Sequence, residues 1–170
     1  MSAATDLLID GFGRVRDNVH AVLDGLGAAE LTFRPDPAAN SIAWLVWHLT
    51  RVQDDHLADV EGAEQVWTSA GWADRLGLPF DPSATGYGQS PDDVAAVRFD
   101  SGALLAGYYD AVHERTIAYV STLTDSDMAR VVDEAWSPPV TLAVRLVSVI
   151  DDDAQHVGQA AYVRGLAERG

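Results

Sequence analysis

The chain has 170 residues, 48% of them hydrophobic, and a formal net charge of -15. That supports a single domain spanning residues 1–170 with a core of its own, and an acidity that repels a nucleic-acid backbone. All eleven basic residues are arginine and cysteine is absent, which excludes a disulfide framework, a thiolate zinc site and a protein-borne thiol nucleophile.

The opening MSAATDLLID lacks the basic segment and apolar core of a secretory signal. No stretch reaches the roughly 18 uninterrupted apolar residues of a membrane span, so the expectation is a soluble, cytoplasmic protein. In the first helix Leu8, Phe12, Val15, Val19, Val22 and Leu26 step by fours and threes, and Gly25 and Gly27 mark its end. The segment LTFRPDPAAN, with Pro35 and Pro37, reads as a loop, after which Asn40 or Ser41 caps a second helix running to about Gly62.

From Gly62 to Ser90 the helical period lapses, apart from a short turn near Trp72 to Leu76, while Gly71, Gly77, Pro79, Pro82, Gly86 and Gly88 accumulate. The aromatics Trp67, Trp72, Phe80 and Tyr87 make this a long, ordered excursion, and also a surface on which two copies would meet as a homodimer. Ser90, Pro91, Asp92 and Asp93 then start a third long helix expected to run to about Leu123. Thr124 to Arg130 suggests one more helical turn, and VVDEAWSPP leads into a last helix from Thr141 to Arg169. No strand-like alternation persists, so the expected fold is all-α, a four-helix bundle with a long ordered loop between helices 2 and 3.

Polar groups interrupt two of the apolar stripes. His48 sits among Trp44, Leu45 and Val52, and on the last helix His156 and Asp152 share the face of Leu142, Val149, Ala160 and Val163. Within the acidic run, helix phase predicts Asp151 in solvent, Asp152 inward and Asp153 at the margin. A buried carboxylate costs several kcal/mol unless it is compensated. Two imidazoles and a carboxylate suit a first-row divalent metal with a coordination position open; a plain Asp152–His156 hydrogen bond is the other reading of that pair. His56 lies eight residues, about 12 Å, from His48 and falls outside that site as a rim residue, while His20 and His113 read as ordinary helix groups. There is no His-Glu-x-x-His and no Glu-x-x-His, and the GYG turn at Gly86 to Gly88 leaves Tyr87 as a possible pocket-lining residue.

The segments SIAWLVWHLTRVQDDH, QVWTSAGWADRLGLPFDPSATGYG and DDDAQHVGQAAYVRGL resemble the DinB-like superfamily of four-helix metalloproteins. Within it they are most similar to the actinobacterial mycothiol transferase branch and to the mycothiol-dependent maleylpyruvate isomerases. The resemblance implies one divalent metal, zinc or nickel, held by His48, Asp152 and His156, although many relatives carry histidine where this chain has Asp152. It further implies mycothiol or a similar small thiol as cosubstrate for attack on an electrophile. Gln159 would orient a ligand or water, and Tyr87 or Arg164 would hold polar parts of thiol or substrate. The alternatives are a small hydrolase using the same ion to activate water, and a non-catalytic binding or stress-response bundle.

Overall fold

The computed structural model describes residues 2–169. Four long helices carry the architecture: α1 (Ala3–Leu23), α3 (Ile42–Glu61), α7 (Ala103–Val120) and α8 (Leu142–Ala167). Each packs on two of the others in a closed cycle, α1 and α3 both lying against α7 and α8. This is the bundle that four amphipathic stripes require. Short helices fill the connections: α2 (Ala28–Thr32), α4 (Val66–Ser69), α5 (Trp72–Leu76) and α6 (Pro91–Ala96). No helix of the described residues is long and apolar enough to cross a membrane.

Helix starts follow local chemistry. The Ser2, Ser41 and Thr141 hydroxyls each accept a backbone N–H of the first turn of α1, α3 and α8, from Thr5, Trp44 and Val144 respectively. Ser41, not Asn40, is therefore the cap of α3. Gly62 ends that helix in the left-handed region, at φ 70°.

Two expectations are corrected. The helix opened by Ser90 and Pro91 ends at Ala96 and does not run to Leu123. Val97 and Phe99 turn into the core, Ser101 makes an isolated bridge to Gly27, and Gly102 crosses so close to Leu23 that a Cβ would lie 3.1 Å from its side chain. Burying these residues against the end of α1 outweighs continuing the helix, and α7 starts afresh at Ala103. A hairpin is also present: β1 (Val131–Asp133) pairs antiparallel with β2 (Val140–Thr141), matching Val131 to Thr141 and Asp133 to Val140. Strands of three and two residues are too short to announce themselves by alternation.

Candidate metal centre

His48 projects from the middle of α3 and is buried, and Asp152 and His156 stand one turn apart on α8. One potential ligand atom from each of the three lies within 4.8 Å of the others. The two imidazole centroids are 4.8 Å apart at an interplanar angle of 71°, and Trp44 stacks on His48 at 4.6 Å.

The hydrogen bonds around the cluster prepare it for a cation. His48 Nδ1 lies 2.5 Å from the Thr85 carbonyl, and His156 Nδ1 lies 3.0 Å from Gln159 Oε1. Both oxygens can only accept, so each Nδ1 carries the proton and each Nε2 keeps its lone pair free for a metal. Burial holds the His48 pKa below its ordinary value, partly opposed by the bond to Thr85, and favours the neutral, ligating form. His156 Nε2 and Asp152 Oδ1 are 3.6 Å apart, too far for a hydrogen bond, and Asp152 Oδ2 is buried without a partner. A direct Asp152–His156 hydrogen bond is thus not what this geometry holds. Two free imidazole nitrogens beside an orphaned carboxylate oxygen fit a divalent cation and leave coordination positions open.

A family model for the DinB superfamily matches residues 12–160. The chain belongs to the DinB superfamily. The crystal structure of a conserved protein from Enterococcus faecalis is similar to it over 100% of this chain and 99% of that one, with a TM-score of 0.92 and 30% sequence identity. No curated protein matches the sequence.

In this DinB-superfamily bundle the cluster lies in a cleft between antiparallel α3 and α8, with a cavity on either side. One cavity, of about 480 Å³, is lined by Val52 and His56 on α3, by Arg145 and Asp152 on α8, and by Asp133 and Trp136. The other, of about 630 Å³, lies past Leu45 on α3 and Gln159 on α8, against Asp36, Asn40 and Tyr162. Leu45, His48 and Val52 follow one another along α3 as Gln159, His156 and Asp152 descend α8, so the ligand cluster separates the two spaces.

Thr85 is held in place by a buried polar network that sequence reasoning missed. Arg51 is completely buried and donates to the Ala84 and Pro82 carbonyls of the excursion, to Gln65 Oε1 and to the Tyr108 hydroxyl. Asp54, also buried, accepts the backbone N–H groups of Val66 and Trp67 and the Tyr108 hydroxyl. These bonds tie the excursion to α3 and α7, and Gly86 completes the fit. Its φ is 100°, and a Cβ there would come 2.6 Å from His48 Nδ1. The sequence signal was present: Arg51 and Asp54 are spaced i, i+3 on one helix, as an ion pair can be, and Gly86 opens the GYG turn.

Gln159 contacts His156. Tyr87 is 94% exposed, and it is its neighbour Gly86 that lies against His48. Arg164 donates to the Ala21 and Val22 carbonyls at the end of α1 and to Glu168, roughly 12 Å along α8 from His156. Those bonds tie its guanidinium to the end of α1 and away from the ligand cluster. The acidic run is corrected: Asp151 is exposed as expected, but Asp153 is the fully buried member and Asp152 only half-buried. Asp153 follows Val149 by four and Leu146 by seven, which centres it on the apolar stripe. Both its oxygens lack partners, and burial, reinforced by the charge of Asp152, pushes its pKa well up towards the neutral acid. His20 pairs with Asp110 at 2.8 Å, and His113 is half-buried. Of the aromatics of the excursion, Trp67 and Trp72 turn into the chain's own core, while Tyr87 is exposed.

Proposed function

We propose that this chain is a metal-dependent thiol transferase, joining mycothiol or a similar small thiol to an electrophile. The observation that carries the proposal is the position of the His48–Asp152–His156 cluster between two cavities of one cleft, an arrangement suited to two ligands meeting at a shared centre. A divalent cation such as zinc or nickel, held by the two Nε2 atoms and an Asp152 oxygen, would supply the charge that favours the thiolate form of a bound thiol. A protein without cysteine must take its sulfur from such a cosubstrate. Thr85 and Gln159 fix both imidazole tautomers, Trp44 keeps one side of His48 dry, and the walls of the cleft orient the reactants. The likeness of the SIAWLVWHL and DDDAQHVGQ segments to the mycothiol transferases supports the choice of thiol.

The test combines metal analysis of purified wild type and His156→Ala with mass spectrometry of products formed from mycothiol and a model electrophile. The wild type should hold about one divalent ion per chain and yield a product carrying the mass of the thiol. Wild-type protein that takes up no stoichiometric metal from any divalent supply overturns the proposal. A product lacking the thiol replaces transfer with hydrolysis at the same cluster.

A further inference from the structure

We propose that the 480 Å³ cavity beside Asp152 seats an uncharged, largely apolar molecule that accepts a hydrogen bond from His56 Nε2–H. This rests on the transferase reading, in which the molecule is the electrophile.

The hydrogen-bond chain at the cavity wall defines its chemistry. Arg145 donates one guanidinium N–H to Asp133 Oδ2 at 3.1 Å and another to His56 Nδ1 at 2.7 Å. A guanidinium has no acceptor, so Nδ1 must offer its lone pair, and the single proton of the neutral ring sits on Nε2. Among the described residues no side chain or backbone oxygen accepts that proton. Burial and the positive charge of Arg145 both hold the His56 pKa below its ordinary value, in keeping with a neutral ring. His56 is thereby fixed as a donor, eight residues along α3 from His48 and on the opposite wall from Asp152.

Charge and shape decide what it donates to. The lining holds two carboxylates, Asp133 and Asp152, and one cation, Arg145, which Asp133 already pairs. Among the lining side chains an anionic ligand would meet no unpaired cation, which leaves it only the metal beside Asp152, and an ammonium group would meet an N–H donor at His56. A neutral carbonyl or ether oxygen suits the site. Val52, Val140 and Val144 supply an apolar wall, and the indole of Trp136, 67% exposed, borders the cavity from the β1–β2 connection. The hairpin unforeseen in the sequence contributes Asp133, Trp136 and Val140 to this wall.

Trp136 also provides the assay, because the other four indoles are no more than 6% exposed and acrylamide will quench it selectively. The probes are cyclohexanone, cyclohexanecarboxylate and cyclohexylammonium, titrated at millimolar concentrations into wild type, His56→Gln, His56→Asn and His56→Leu, with Trp136→Phe to confirm the reporter. Metal content and thermal melting are recorded on every sample. Cyclohexanone should shield Trp136 in the wild type, and the two charged analogues should not. Glutamine, which places an amide N–H near the Nε2 position, should preserve the shielding. Asparagine, too short to reach, and leucine should raise the dissociation constant about fivefold, the loss of one neutral hydrogen bond. Absence of shielding by cyclohexanone, equal shielding by the carboxylate, or folded His56→Asn and His56→Leu proteins that bind as the wild type does would each overturn the assignment. Such a result in metal-replete protein leaves the transferase reading standing. Metal-free wild type overturns that reading, while the same titration still decides what the cavity binds.

Discussion

Replacing Gly86 with alanine tests how the excursion governs the metal centre. The new Cβ would lie 2.6 Å from His48 Nδ1, 3.1 Å from Trp44 Cζ2 and 3.2 Å from His48 Cγ, against an ordinary contact of 3.4 Å or more. Something must retreat by about 0.8 Å, the difference between 2.6 and 3.4 Å. If His48 and Thr85 part by that amount, their hydrogen bond lengthens from 2.5 Å to about 3.3 Å, past the normal N–H···O range. The imidazole then loses the partner that fixes its tautomer, a loss that typically costs 10- to 100-fold in metal affinity. Alanine at φ 100° adds backbone strain of about 1–3 kcal/mol. Gly88→Ala is the control: its φ is 73° and nothing lies within 4 Å of the added Cβ, so it should cost about 1–2 kcal/mol of stability and leave metal binding unchanged. Competition with a calibrated chelator gives the affinities, and urea unfolding gives the stabilities. Equal metal affinity in the two variants would refute the claim that Gly86 is needed for its contact with His48.

Asp54→Ala leaves the buried Arg51 without its carboxylate and frees the N–H groups of Val66 and Trp67; we expect a loss of about 3–5 kcal/mol in urea unfolding, and a loss under 1 kcal/mol would contradict the network. Zinc or nickel at 100 times its dissociation constant should stabilise the wild type by about 2.7 kcal/mol and His156→Ala not at all, as read from thermal melts with and without chelator. Asp153, whose folded pKa is raised, binds its proton more tightly in the folded chain than in the unfolded one. Its contribution is therefore fully present below the unfolded carboxylate pKa and is lost as pH rises through the folded value. In chelator-treated protein, Asp153→Asn should gain stability relative to wild type as pH rises above the unfolded carboxylate pKa, and parallel stability curves would contradict this. His56 and His113 have lowered pKa values, chiefly through burial. The unfolded chain takes up their protons first, so these two rings lower stability as pH drops below about 6.5, and His113→Gln should gain stability relative to wild type on acidification.

The long-range pattern of this chain was legible because helices repeat. The spacing of Leu8, Phe12, Val15 and Val19, the cap at Ser41 and the histidine interrupting the stripe at His48 are properties of a single segment, and one segment's residues suffice to read them. The same periodicity put Asp152 and His156 on one face but misjudged Asp153, because successive residues differ by 100° and a boundary between inside and edge depends on where the neighbouring helices press. The break between α6 and α7 was hidden for a related reason. Val97, Phe99 and Gly102 are compatible with a helix locally and leave it because Val97 and Phe99 are drawn into the core and Gly102 lies against Leu23, far away in sequence.

Composition and periodicity alone establish an acidic helical domain, a cysteine-free chemistry and three candidate metal ligands, since each follows from residue type or from spacing within one helix. Folding settles the rest: that both Nδ1 atoms meet carbonyl oxygens, that Asp152 and His156 stand too far apart to satisfy each other, and that Arg145 sets the tautomer of His56. Those facts depend on distances between segments whose approach no local rule encodes, and angstrom differences there separate a ligand from a satisfied core group.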